Sequence, residues 1–80
     1  MLNESDIKTL IEQTIADARV TIHGDGRHFE AVIISDSFLG LSSLKRQQAV
    51  YAVIGQEITS GAIHAISFKT YTTLEWQELQ

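Results

Sequence analysis

The sequence predicts a single small α/β (α+β) domain, with elements in the order α-β-β-α-β-α around a three-stranded mixed sheet. Apolar residues recur at helical spacing in two long segments and at strand spacing in three shorter ones. The period changes where glycines or capping residues stand. A length of 80 residues leaves room for one domain. A chain of that size buries roughly 60% of the surface its unfolded form exposes, enough for one modest core.

Residues 4–18 carry Ile7, Leu10, Ile11, Ile15 and Ala18 at i, i+3, i+4, i+8 and i+11, a stripe along one helical face. Asn3 is a suitable N-cap, and Glu4 and Asp6 set negative charge against the positive end of the helix dipole. From Arg19 to His23 the period shortens, with Val20 and Ile22 alternating with Thr21 and His23. Gly24-Asp25-Gly26-Arg27 supplies turn formers. His28 to Asp36 resumes as a second strand, apolar on both parities from Ala31 to Ile34, which marks it as central. The pair reads as an antiparallel hairpin.

After a connection from Ser37 to Leu41, a second helix spans Ser43 to Ser60 and stops at Gly61. Ala62 to Tyr71 forms the third strand, and Thr72-Thr73-Leu74-Glu75 is a capping box opening a short helix with Trp76 and Leu79. A helical crossover makes the second and third strands parallel and gives the order 1-2-3, the alternative being a third strand beside the first. The core is expected to include Ile11, Ile22, Phe29, Ile33, Tyr51, Ile54 and Trp76. Gln47 falls between Leu44, Ile54 and Ile58 on the apolar helix face, where its amide is expected to tie down the preceding connection.

The composition is 44% apolar and 20% charged, with mean hydropathy +0.01, which excludes disorder and collagen-like repeats. The absence of cysteine excludes disulfides, a cysteine nucleophile and a self-contained cysteine-ligated cluster. No apolar run approaches the ~20 residues of a membrane span, and the start of the chain lacks the basic head and apolar core of a signal peptide. A cytoplasmic protein is expected. Ten acidic residues against six Lys and Arg give a formal charge of −4, which weighs against strong non-specific nucleic-acid binding.

No enzyme constellation is present: GxSxG, Walker A, HExxH and a dinucleotide-binding glycine turn are all missing, so no catalytic residue is assigned. Gly24-Asp25-Gly26 resembles a calcium or phosphate loop only superficially, because it joins two strands and lacks further ligands. The histidines are more informative. His23 ends the first strand, His28 begins the second and His64 begins the third, so all three converge on the hairpin end of the sheet. Adjacent strands are about 4.8 Å apart, close enough for two imidazoles to reach one metal centre. On spacing alone, three solvated or hydrogen-bonded histidines explain the pattern as well. At the start of the second helix, Lys45 and Arg46 add cations to an already positive dipole end, which makes either an anion or partner contact or a solvated turn.

Several segments together resemble the BolA-like family: His28-Phe29 and the apolar strand after it, Ser35-Asp36-Ser37-Phe38-Leu39-Gly40-Leu41-Ser42, Ile63-His64-Ala65-Ile66-Ser67, and Thr70-Tyr71-Thr72-Thr73-Leu74-Glu75-Trp76. The resemblance covers nearly all of residues 1–80 and implies a class II KH-like fold. The Lys45-Arg46-Gln47-Gln48 stretch, with Gly24-Asp25-Gly26-Arg27-His28-Phe29, is similar to a short bacterial subgroup, and two features depart from the usual family pattern. Arg46-Gln47 stands where the family usually has Arg-His, and the loop between the first two strands is short and free of cysteine.

The resemblance implies a partner protein rather than an enzyme. Such proteins bind a monothiol glutaredoxin and share with it a bridging 2Fe-2S cluster that also uses glutathione. His64 would be the family's histidine ligand, with His28 or His23 as the second. No cluster is expected in the isolated chain, which would be a monomer or weak dimer. The competing expectation is a KH-like nucleic-acid-binding regulator, although no GXXG loop is present.

Overall fold

Strand β1 (Arg19–Gly24) pairs antiparallel with β2 (His28–Ile34), and β2 pairs parallel with β3 (Ala65–Tyr71), giving the order β1-β2-β3. The computed structural model describes residues 3–25, 27–63 and 65–80. Three helices complete it: α1 (Glu4–Thr14), α2 (Ser43–Thr59) and α3 (Thr73–Glu78). The expected element order and the parallel β2–β3 pairing are both present.

Alternation divides the sheet into two unlike faces. Val20, Phe29, Ala31, Ile33 and Phe68 turn inward and meet Ile7, Ile11 and Ile15 from the first helical segment and Val50 and Ile54 from α2. Ile22 and Ile66 pack against that cluster while half-buried. The opposite face carries Arg19, Thr21, His23, His28, Glu30, Ser67 and Lys69, all exposed.

The differences from the sequence reading have local causes. The helical stripe extends in the sequence to Ala18, but α1 ends at Thr14 because Ile15 is extended and Asp17 takes a left-handed φ of 61°. Ile15 stays in the core from this non-helical position. The turn is held by Glu12, whose carboxylate accepts the Val20 N–H at 3.1 Å and the Lys8 ammonium at 2.7 Å. β2 stops at Ile34 rather than Asp36, because Ser35 caps a 3-10 turn over Asp36–Phe38. β3 begins at Ala65 rather than Ala62: Ile63 is fully buried and donates its N–H to the Glu57 carbonyl at 3.0 Å, which ties it to the end of α2.

Tyr51 is 46% exposed instead of buried. It lies about 100° around the helix from Val50, so its ring meets only the edge of Phe68, at 5.1 Å between centroids. Trp76 is half-buried against Tyr71, and Leu44 is 66% exposed. Gln47 reaches Phe68 rather than the preceding connection, donating its amide N–H to that carbonyl at 3.4 Å. The connection is held instead by Arg46, whose Nε donates to the Leu41 carbonyl at 3.0 Å.

Candidate functional site at the hairpin end of the sheet

The hairpin is built by one carboxylate and one glycine. Asp25 Oδ1 accepts the backbone N–H of Arg27 at 2.9 Å and of His28 at 2.8 Å. Those donors, His28 first, hold the Asp25 carboxyl below the usual carboxylate range. Gly24 lies opposite Phe29, and a Cβ there would collide with the Phe29 ring and stand 2.8 Å from the His28 carbonyl oxygen. A side chain is therefore excluded, and Phe29 can close the core directly beneath the turn.

This arrangement sets two histidines on one surface. His23 pairs across the strands with Glu30, and His28 pairs with Ala65 at the start of β3. Both imidazoles are exposed, and with Asp25 and Glu30 they line a shallow depression of about 340 Å³. His28 Nδ1 stands 4.0 Å from Asp25 Oδ2. His64, the residue expected to carry the site, lies outside the described residues. The residue after it is anchored beside the turn, since the Ala65 N–H donates to the Arg27 carbonyl at 3.0 Å. Among the described residues, no group of three or more His, Cys, Asp or Glu side chains could hold a metal ion.

The basic turn differs from the expectation of two exposed cations. Lys45 is exposed, but the Arg46 side chain retains only 13% of its accessible surface. Its guanidinium donates to both oxygens of Glu75, at 2.7 and 3.2 Å, and lies 6.0 Å from the centroid of the Phe38 ring. The Arg46 fork therefore serves as an internal clamp rather than an anion site. Glu75 also accepts the Thr72 N–H at 2.8 Å within the α3 capping box. Arg46, and then the Thr72 amide, hold the Glu75 carboxyl at about 2. The capping-box spacing identified Glu75 in the sequence, but no pattern linked it to Arg46, 29 residues earlier.

The Ser35–Ser42 segment of the family resemblance is structural. Ser35 is 1% exposed, donates to the Ala16 carbonyl at 2.7 Å and caps the 3-10 turn. Phe38 is 1% exposed in the core, Gly40 takes a φ of 81°, and Ser42 caps α2 through the Lys45 N–H. A run of small polar residues around one Phe thus turns the chain from β2 into α2.

With fold and surface established, comparison with known proteins assigns the class. Residues 5–75 match the BolA-like protein family, and the chain belongs to it. Within that family it is similar to the acid stress protein IbaG of Escherichia coli K12, 33% identical over 75 residues, 94% of this chain and 89% of that one. The structural likeness agrees: a bolA protein homologue from Coxiella burnetii superposes with a TM-score of 0.85 at 42% identity, covering 96% of this chain and 99% of that one.

The BolA domain of SufE1 from Arabidopsis thaliana gives 0.78 at 26% identity, over 94% and 99% of the two chains. Yeast Fra2 gives 0.74 at 32%, over 98% and 87%. The DNA-binding transcriptional regulator BolA of Escherichia coli K12 is 37% identical over 57 residues, 71% of this chain and 53% of that one. Among the described residues, no helix is long and apolar enough to cross a membrane.

Proposed function

We propose that this chain is a non-enzymatic partner of a monothiol glutaredoxin and shares with it a glutathione-dependent bridging 2Fe-2S cluster, in cytoplasmic cluster handling or in iron or stress sensing. The observation that carries this reading is the pair of exposed imidazoles at the hairpin end of the sheet. Two exposed imidazoles, His23 and His28, share one surface in a chain that has no cysteine. The donors fit half of a shared site whose thiolates come from elsewhere. The similarity to Fra2, to the BolA domain of SufE1 and to an acid stress protein supports this direction.

In this reading His64, which matches the family's histidine, is the principal ligand and His28 the second, with His23 the lesser alternative. Neutral imidazole in place of thiolate leaves less negative charge on the cluster and raises its potential. The test is co-purification with a monothiol glutaredoxin, followed by visible absorption and by cluster-loss rates at matched glutathione. His64→Ala is expected to shift the spectrum and speed cluster loss, His28→Ala to do so less, and His23→Ala least. Thermal melts of the isolated variants separate ligand loss from unfolding. Identical spectra and loss rates for wild type and His64→Ala would end the proposal.

The second reading, a nucleic-acid-binding regulator, is favoured by the similarity to the DNA-binding regulator BolA. The pairing of Arg46 with Glu75 removes one of the cations it would use. Salt-dependent gel shifts of the isolated protein distinguish the two.

A further inference from the structure

One side chain grips the tip of the β1–β2 hairpin. Asp25 meets His28 at three points: its Oδ1 accepts the His28 N–H at 2.8 Å, its own N–H donates to the His28 carbonyl at 3.2 Å, and its Oδ2 stands 4.0 Å from His28 Nδ1. The same Oδ1 accepts the Arg27 N–H at 2.9 Å, and the Arg27 carbonyl accepts the Ala65 N–H at 3.0 Å. One carboxylate therefore ties the start of β2 to the start of β3, where His64 precedes Ala65 in the sequence.

The two oxygens act on different things. Oδ1 fixes backbone, in a sequence where a glycine stands on either side of Asp25 and gives the chain its greatest freedom. Oδ2 faces the ring. The amide donors hold the Asp25 carboxyl below the usual carboxylate range, so it faces the imidazole ionised. A carboxylate beside Nδ1 favours the proton on that nitrogen and leaves the lone pair on Nε2. Metal-binding histidines are commonly held in this way, with one ring nitrogen against a carboxylate and the other on the metal. The His28 and Asp25 side chains are 69% and 70% exposed, which limits the tautomer preference to a few-fold.

We infer that Asp25 is the positioning residue of the hairpin-end site: it fixes the backbone that carries His28 and leaves Nε2 of that imidazole as the nitrogen offered to a metal centre. The inference rests on the cluster-sharing reading above and adds the residue that orders the donor and the atom that donates. An aspartate that served the turn alone would need only Oδ1, and serine would replace it with weaker versions of the same bonds. The second oxygen makes the two roles separable.

The test compares Asp25→Ser, which keeps one acceptor oxygen and loses the charge, with Asp25→Ala, which loses both. In the isolated chain, long-range proton–nitrogen correlation spectra at about pH 8.5, where an ordinary imidazole is neutral, read the tautomer of His28. The ratio of its Nδ1–H to its Nε2–H form is expected to fall about two- to fivefold in Asp25→Ser, with His23 unchanged. In the complex with a monothiol glutaredoxin at matched glutathione, Asp25→Ala is expected to lose cluster about three- to tenfold faster than wild type, with Asp25→Ser between them. Asp17→Val, which strains the turn after α1 instead, is expected to keep the wild-type loss rate.

If Asp25→Ser matches wild type in both tautomer and loss rate, Asp25 is a turn former only and the inference is overturned while the partner reading stands. If Asp17→Val speeds cluster loss as much as Asp25→Ala, the effect is one of general stability and the inference is again overturned. If the wild-type complex holds no cluster, the partner reading falls and takes this inference with it.

Discussion

Arg46 and its neighbour Lys45 look equivalent in the sequence, and the fold gives them opposite fates. Lys45 points to solvent, while Arg46 joins the start of α2 to α3 through both oxygens of Glu75. Because the Glu75 carboxyl is held at about 2, against about 4.5 for an ordinary glutamate, its ionised form is favoured in the folded state. The sign follows from linkage: the stabilisation is complete above the unfolded value and is lost as pH falls toward the folded one. Thermal melts of wild type and Glu75→Gln are therefore expected to differ at pH 7 and to converge as pH drops from about 4.5 to about 2. Fluorescence of Trp76, the one tryptophan, reports the same change in α3. A constant gap across that range would show that the ion pair contributes nothing. Charge reversal at Lys45 should leave stability unchanged or raise it by about 0.3 kcal/mol, since an acidic residue suits a helix N-terminus. Sequence reading could place both cations in the first turn of α2 but not tell them apart, because the difference depends on where α3 returns.

Elements were legible wherever periodicity and capping agreed, and their ends were not. The Thr72–Glu75 capping box and the Gly61 stop were both readable because their chemistry is local. The end of α1 was not, since Ile15 keeps the helical stripe in sequence while leaving the helix in structure. What ends α1 is the turn around Asp17, a non-glycine residue at a φ of 61°. Asp17→Val is expected to destabilise by about 1–2 kcal/mol, because a β-branched side chain tolerates that backbone poorly, whereas Asp17→Gly should hold or gain stability. Urea melts of the two variants decide the point. If both lose stability equally, the Asp17 side chain rather than the backbone holds the turn. The connection from Ser35 to Ser42 teaches the same lesson from the other side. Its motif was recognised as a signature, but its work as cap, core plug and left-handed turn appears only in three dimensions.

For the whole molecule, sheet order followed from a crossover rule, and the convergence of His23 and His28 followed from the antiparallel β1–β2 hairpin. The protection of the sheet's two open edges was not legible, because it depends on side chains from helices that no sequence spacing ties to the strands. β1 pairs only with β2, and the Val20 N–H on its free side is taken by Glu12 of α1. β3 likewise pairs only with β2, and the Phe68 carbonyl on its free side accepts from Gln47 of α2. Unpaired edge groups are templates for strand addition, so a helix side chain at each edge blocks a route to association. The double variant Glu12→Ala/Gln47→Ala is expected to keep its fold, since neither residue belongs to the apolar core. It should self-associate at lower concentration than wild type, as read by sedimentation velocity over a concentration series. The single variants should fall between, because each exposes one edge. Identical sedimentation for all four proteins would mean that strand twist and surface charge guard the edges, and that the two helix side chains serve only to fix α1 and α2 against the sheet.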